Sequence, residues 1–249
     1  MTSIVVPARF CGPPDSGNGG YTCGLLAQKL GGVVECTLRM PVPLESRLNF
    51  ERTETGGVLR YGEKVVVEGA PASIAVTPPP PVSFHHATEA MAWSPATDPR
   101  HPFPTCFVCG PKRAVHDGLR IFPAPLRDGH PGVPSPPEVG ALGWKSGMHV
   151  AAWVPDAEFG NSNHFLLPEF LWAAMDCPTG FASGFPTVGK LVTGRLAVQQ
   201  LQPIRTGTGC VLMSWPVGVE GRKHFSAACL YQDEKLCALG RATWIRIEA

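Results

Sequence analysis

Two stretches of the chain share one pattern: Leu59-Arg-Tyr-Gly-Glu-Lys-Val-Val-Val-Glu-Gly69 and Leu230-Tyr-Gln-Asp-Glu-Lys-Leu-Cys-Ala-Leu-Gly240. Their first leucines, Glu-Lys pairs and closing glycines coincide at one offset of 171 residues (230 − 59), and Ile74 and Ile245 follow at the same offset. Each stretch has the pattern of a strand, a polar turn and a second strand, with Glu-Lys at the tip of a hairpin. Because an internal repeat determines the architecture, we expect two similar halves.

The repeat extends upstream of the hairpins. Leu38-Arg-Met-Pro-Val-Pro43-Leu44 resembles Val198-Gln-Gln-Leu-Gln-Pro203-Ile204 at an offset of 160 residues (203 − 43), so the second half contains about one extra loop. Each half also has a helix-length apolar run, Tyr21 to Leu30 and Phe170 to Cys177, and the second is apolar nearly all round, as in buried helices. A helix followed by several antiparallel strands predicts an α+β fold in which the helix packs on a sheet.

Composition supports a packed core and excludes strongly charged partners. The chain has 249 residues, enough for two domains of usual size, with 44% hydrophobic and 16% charged residues. Its 21 basic and 20 acidic residues give a net charge of +1, so we expect no binding to nucleic acid or to a membrane surface.

The sequence has no long apolar stretch and no signal-like N-terminus, which predicts a cytoplasmic protein. Nine cysteines, mostly within apolar runs, are typical of buried reduced thiols.

Prolines mark the connections between the halves. The chain has 27 of them, including the run Pro78 to Pro81 and a second cluster from Pro123 to Pro137. Such segments favour extended backbone over helix. We therefore predict a Pro-rich linker at about 78–104, between an N-terminal domain over 1–98 and a C-terminal domain over 99–249.

Three segments resemble the hotdog-fold acyl-CoA thioesterase superfamily in its tandem form. Asn18-Gly19-Gly20 before Tyr21-Thr-Cys-Gly is similar to the His-Gly-Gly start of the hotdog helix, with Asn in place of His. Pro168-Glu-Phe-Leu-Trp-Ala-Ala-Met-Asp176 resembles the same helix, continued to the acidic residue of that family. Thr105-Cys106-Phe-Val-Cys109-Gly110-Pro111, with Gly118-Leu119, is similar to the segment before the first strand of single-domain members. The resemblance covers most of the chain.

That resemblance implies a double hotdog: two long helices, each wrapped by an antiparallel sheet, or one continuous sheet around both. It also implies an active site built across the interface of two hotdog units, with the helix start from one and the acid from the other. In the first helix the position equivalent to Asp176 is Ala27, at the offset of 149 residues between the two helix starts (167 − 18 = 176 − 27). Pro168 removes an amide donor from the start of the second helix. We therefore expect one composite site, joining Asn18-Gly19-Gly20 to Asp176.

Thioester hydrolysis needs donors for the developing oxyanion and a carboxylate that activates water or attacks directly. The first amides of a helix are unpaired donors, and Gly19 and Gly20 would let a thioester approach them because neither has a Cβ. Asn18 could instead serve only as the helix cap. Partial burial among apolar neighbours would raise the pKa of Asp176 and make it a better base, or Asp176 could bond only to nearby backbone.

Further residues are candidates for substrate binding. Tyr21, Glu169 and Trp172 lie on the two predicted helices, where Trp172 could stack on an acyl or aromatic group or belong to the core. Arg222, Lys223 and His224 follow a turn at Gly221 and could bind the phosphates of coenzyme A, or form a solvated loop. We expect no cofactor beyond coenzyme A as part of the substrate.

Cys106 and Cys109 have the spacing of two metal ligands, with His101 and His116 near in sequence. Because no second cysteine pair at that spacing follows, we expect no metal.

The leading hypothesis is an acyl-CoA thioesterase. The first alternative is a non-catalytic protein that binds acyl-CoA or another small ligand. The second is a hotdog enoyl-CoA hydratase, because Asp156 and His164 faintly resemble the Asp/His pair of that family, although its proline is missing. The expected partner is a small-molecule acyl thioester, and a homo-oligomer is compatible with the sequence.

Overall fold

The computed structural model describes residues 3–126 and 147–247, so part of the second proline cluster lies outside the described residues. Within these ranges the helices are α1 (Gly19–Leu30), α2 (Phe84–Ala90) and α3 (Pro168–Ala182). The strands are β1 (Ser3–Val5), β2 (Val34–Leu38), β3 (Arg47–Thr53), β4 (Gly56–Tyr61), β5 (Lys64–Pro71), β6 (Ala124–Pro125), β7 (His149–Trp153), β8 (Lys190–Gln200), β9 (Cys210–Glu220), β10 (Lys223–Gln232) and β11 (Lys235–Ile247).

The strands form one antiparallel sheet in the order β1-β3-β4-β5-β2-β8-β11-β10-β9-β7-β6. At its middle β2 pairs with β8, from Val34 opposite Val198 to Thr37 opposite Arg195. Outward from this pair, the order β2-β5-β4-β3-β1 on one side corresponds to β8-β11-β10-β9-β7 on the other. The two halves therefore repeat one arrangement, and the sheet is continuous through both.

The two repeated hairpins match in detail. In the β4–β5 hairpin Tyr61 faces Lys64, and in the β10–β11 hairpin Gln232 faces Lys235, so both turns lie at the predicted tip. Each hairpin also has a register shift just after its leucine, between Leu59 and Arg60 and between Leu230 and Tyr231. These shifts lie at the same offset of 171 residues (230 − 59), which confirms the predicted repeat.

The helices α1 and α3 pack against each other inside the sheet. Every residue of α3 from Phe170 to Ala182 is buried, as its apolar sequence predicts. A Cβ on Gly20 would lie 2.5 Å from the Trp172 carbonyl oxygen, and one on Gly24 would lie 2.6 Å from Glu169 Cα. Glycine at both positions therefore allows this close crossing. With 12 residues in α1 and 15 in α3, the expectation of two long helices is not confirmed.

The segment between β5 and β7 is more structured than its prolines predict. Helix α2 lies within the predicted extended linker, so that expectation is wrong for 84–90. The Ser83 hydroxyl accepts a hydrogen bond from the His86 amide (3.2 Å) and caps this helix, which fits between prolines instead of containing one. Ala87 and Ala90 pack in a second apolar cluster with residues of β7, β9 and β10. No helix of the described ranges is long and apolar enough to cross a membrane.

Candidate active site

The Asp176 carboxylate of α3 lies at the first turn of α1. Asp176 Oδ2 accepts hydrogen bonds from the Gly20 amide (3.0 Å) and from Asn18 Nδ2 (3.3 Å). Asp176 Oδ1 accepts one from Thr193 Oγ1 (2.8 Å). The residues that we predicted to form a composite site, Asn18, Gly20 and Asp176, are thus in direct contact, although they come from different halves of the chain.

Local sequence explains how α1 presents its first turn. Asn18 Oδ1 accepts from the Tyr21 amide (2.9 Å), so Asn18 caps the helix with its oxygen and reaches Asp176 with its nitrogen. Gly20 has no Cβ, and one built there would lie 2.6 Å from Asp176 Cβ. A Cβ on Gly19 would lie 2.9 Å from the Thr193 side chain. Both glycines are therefore required by close approach of the second half.

Burial alters the acidity of the candidate base. Asp176 is 1% exposed, and loss of hydration raises its pKa to about 7. Hydrogen bonds from Thr193, Gly20 and Asn18 stabilise the ionised form and act in the opposite direction. The predicted rise in the pKa of Asp176 is thus present, and its main cause is burial.

A cavity of about 570 Å³ opens beside this carboxylate. Its volume is in the range of small-molecule sites. Asn18, Gly19, Asp176 and Thr193 form a polar part of its lining. Aromatic side chains supply much of the rest: Phe103, Phe181, Phe185 and Trp244. The cavity therefore combines a buried acid with space for an apolar group.

The two glycine amides are not equivalent. The Gly20 amide already donates to Asp176, whereas no hydrogen bond from the Gly19 amide is found among the described residues. Gly19 is also the glycine of this pair that lines the cavity. Only the Gly19 amide is therefore open to a ligand, which differs from our expectation that both amides would receive the carbonyl oxygen.

Three candidates on the helices lie outside the cavity lining. Tyr21 is buried, and its ring stacks on Phe10 with centroids 4.2 Å apart. The Trp172 side chain packs against Gly24, where a Cβ would lie 2.9 Å from Trp172 Cβ. Glu169 accepts a hydrogen bond from Gln28 at the helix crossing. The structure thus places all three in contacts between or around the helices.

The candidate phosphate-binding residues also lie outside the lining. Arg222 and Lys223 are exposed at the β9–β10 turn, where Lys223 is opposite Ile245, a cavity residue. His224 is buried, and its Nδ1 lies 3.0 Å from the Ser183 carbonyl oxygen. The cations that do line the cavity are Arg39, which pairs with Glu68, and Lys190. Sequence reasoning missed both because only the strand order brings them to this cavity.

Asp156 and His164, the residues of the hydratase alternative, do not form a pair. His164 is exposed in a turn with a φ of 59° and does not line the cavity. Asp156 instead pairs with His116. The predicted Asp/His pair therefore is not formed in this structure.

A thiol cluster that we did not predict adjoins the site. The Sγ atoms of Cys106, Cys109 and Cys177 all lie within 4.8 Å of one another, and all three residues line the cavity. Sequence analysis identified Cys106 and Cys109 as candidate ligands but not Cys177. The position of Cys177 directly after Asp176 could have indicated that it lies near the site. All nine cysteines are buried, as their apolar surroundings predict.

Comparison with known proteins identifies the fold. Neither a protein-family model nor a curated protein matches the sequence. A structure from Novosphingobium aromaticivorans, provisionally described as a thioesterase, covers 99% of this chain and 95% of its own, with a TM-score of 0.59 and 14% identity.

Smaller structures match parts of the chain. The TT0310 protein of Thermus thermophilus covers 49% of this chain and all of its own (24% identity, TM-score 0.38). The Escherichia coli PaaI protein from the phenylacetic acid degradation operon covers 43% of this chain and 86% of its own (18% identity, TM-score 0.37). The whole-chain match, together with the sheet and its enclosed helices, shows that the protein has the hotdog fold.

Proposed function

We propose that the chain is a double-hotdog thioester hydrolase with one composite site between its halves. The observation that carries this proposal is the buried Asp176 carboxylate of one half, which contacts the helix start of the other half beside a cavity of about 570 Å³. Because one fold can serve many activities, the proposal rests on the site.

In the proposed reaction the thioester carbonyl oxygen accepts a hydrogen bond from the Gly19 amide. The positive end of the α1 dipole favours the negative charge that develops on this oxygen. Asp176 takes a proton from a water molecule as the water oxygen attacks the carbonyl carbon. The C–S bond then breaks, the proton on Asp176 passes to the leaving sulfur, and the products are a carboxylic acid and a thiol.

The cavity lining supports an acyl thioester as the substrate. The four aromatic residues of the lining would hold an apolar acyl group away from water. Lys190 is exposed at the cavity, and no ion pair of Lys190 is found among the described residues. We infer that Lys190, with Arg39, binds the phosphates when coenzyme A carries the acyl group.

The alternative is a protein that binds an acyl thioester without hydrolysing it. One observation favours this alternative: the Gly20 amide, the Asn18 amide group and the Thr193 hydroxyl all donate to Asp176, so the carboxylate has a full set of structural partners. In such a protein Asp176 would only tie the two halves together.

The decisive experiment is to incubate the protein with a panel of acyl-CoA thioesters and follow thiol release. We expect Asp176→Asn to lower kcat/KM by about 10³-fold, because the amide cannot accept a proton. Asp156→Asn serves as the matched control, since Asp156 is outside the cavity, and we expect it to keep wild-type activity.

Two results would reject the proposed mechanism. Thiol release that survives Asp176→Asn would remove Asp176 from catalysis. Binding of acyl-CoA without release of thiol from any substrate would establish the non-catalytic alternative. Hydration of crotonyl-CoA that is lost in His164→Ala would instead support the hydratase alternative.

A further inference from the structure

The strongest unexplained feature outside the proposed reaction is the thiol cluster of Cys106, Cys109 and Cys177. Cys106 Sγ lies 3.7 Å from Cys177 Sγ, and Cys109 Sγ lies 3.5 Å from His101 Nε2. It is the only group of three or more potential ligands of this kind found among the described residues. Three thiols that converge from two distant segments are unusual if each acts only as a small apolar side chain.

The distance between two of the thiols fits tetrahedral metal coordination. With a zinc–sulfur bond of about 2.3 Å, two sulfur ligands of a tetrahedral ion lie about 3.8 Å apart. The Cys106–Cys177 separation of 3.7 Å matches this value, and an S–S bond of about 2.0 Å would require these atoms to move. We propose that Cys106, Cys109 and Cys177 bind one Zn²⁺ ion through their sulfur atoms.

The backbone holds two of the ligands on a tight turn. The Gly110 amide donates to the Cys106 carbonyl oxygen (2.9 Å), which closes the turn Cys106-Phe-Val-Cys109-Gly110. A Cβ on Gly110 would lie 2.4 Å from that oxygen and 2.6 Å from the Cys106 nitrogen, so the turn requires glycine. The third ligand, Cys177, is held by helix α3. The cluster is thus built on two ordered segments.

A hydrogen-bond donor faces the cluster. His101 is buried, and its Nδ1 accepts a hydrogen bond from the Phe103 amide (3.0 Å), which leaves Nε2 as the nitrogen whose N–H faces Cys109 Sγ (3.5 Å). His101 therefore stabilises a thiolate through an N–H···S hydrogen bond.

Metal binding would connect two segments of the second half beside Asp176. Each thiol gives up its proton to water as the ion binds. The ion would then join the Cys106–Cys109 turn to helix α3 at the residue after Asp176. Because all three ligands line the cavity, a water molecule from the cavity completes the tetrahedron.

The first test is the metal content of the full chain, purified with a reductant and without a chelator. We expect about one zinc ion per chain in the wild type, as in other mononuclear sites. Cys106→Ala and Cys177→Ala should each lower the zinc content at least about tenfold, since two thiolates hold the ion poorly. Cys229→Ala is the matched control, because Cys229 is equally buried but lies on β10, and it should retain the zinc.

A second measurement does not depend on the folding of the variants. Co²⁺ titrated into reduced, metal-stripped wild-type protein should saturate at one equivalent, with the strong visible absorption of tetrahedral cobalt–thiolate. Wild-type protein that contains no zinc and binds no Co²⁺ would overturn the proposal. A disulfide among the three thiols in freshly purified protein, or zinc that is retained in both ligand variants, would overturn it as well.

Discussion

Helix α1 begins at Asn18 and two glycines, whereas helix α3, its counterpart in the second half, begins at Leu167 and Pro168. At α1 the Asn18 side chain caps the helix, and a carboxylate from the other half accepts a hydrogen bond from Gly20. At α3 no side chain caps the helix, and Pro168 has no amide hydrogen to donate. The position of Asp176 corresponds to Ala27 in α1. Both halves thus have the same arrangement of strands, but only α1 begins with a polar cap.

The difference shows that the two helix starts are not equivalent. A repeated fold needs both helices to fill the sheet, but a composite site needs only one helix start and one acid. The apolar surface of α3 and the glycines of α1 are therefore complementary: α3 is buried over 13 consecutive residues, and α1 approaches it through Gly20 and Gly24. Substitutions in α1 and in α3 should consequently have unequal effects on the free energy of unfolding.

The largest effect on stability is expected at the helix crossing. Gly20→Ala would place a Cβ 2.5 Å from the Trp172 carbonyl oxygen, a backbone atom that cannot move independently of α3. We expect the free energy of unfolding, measured with urea, to fall by about 3 kcal/mol. Gly218→Ala is the control, because nothing lies within 4 Å of its Cβ position. Equal stability of the two variants would show that α1 and α3 are not in this close contact.

A smaller loss of stability is expected for Thr193, which lies on strand β8 beside Asp176. Thr193→Val removes the hydroxyl that donates to Asp176 Oδ1 and leaves a buried carboxylate oxygen without this donor. The expected loss of unfolding free energy is about 2 kcal/mol. Thr37→Val on the neighbouring strand β2 is a matched control, since Thr37 is also half-buried and has no side-chain hydrogen bond found in the described ranges. If both variants lose the same free energy, the Thr193–Asp176 bond contributes nothing.

The smallest changes in stability are expected for substitutions at the first residues of α1 and α3. Asn18→Ala should lower the unfolding free energy by about 1 kcal/mol, because it removes the N-cap, while Asp176 Oδ2 keeps its shorter hydrogen bond from the Gly20 amide (3.0 Å). Pro168→Ala should change it by less than about 0.5 kcal/mol, since Pro168 makes no cap and alanine is compatible with a first helical turn. Urea denaturation of both variants under the same conditions measures the difference. A larger loss in Pro168→Ala would reverse our comparison of the two starts.

Much of the fold could be predicted from the sequence because its signals are local. The hairpins around Glu63 and Glu234 have their own turn and strand patterns, and even their bulges recur at the same offset. Helix α2 was not predicted, because the prolines on both sides of it indicated extended backbone. The short segment between them is nevertheless helical and is capped by Ser83. The expectation of two long helices came from the family resemblance and not from a cap or a break in the sequence.

The sequence alone determined the two-part repeat and the burial of α3, because apolar periodicity and short motifs depend on neighbouring residues. The pairing of the α1 start with Asp176 was expected only from the family resemblance. Only the tertiary structure decided that Thr193 donates to Asp176, that Gly19 and not Gly20 has the open amide, and that Lys190 lines the cavity. It also brought Cys177 to the Cys106–Cys109 turn. These contacts join residues far apart in the chain, so they depend on the strand order and on the distance between the two helices.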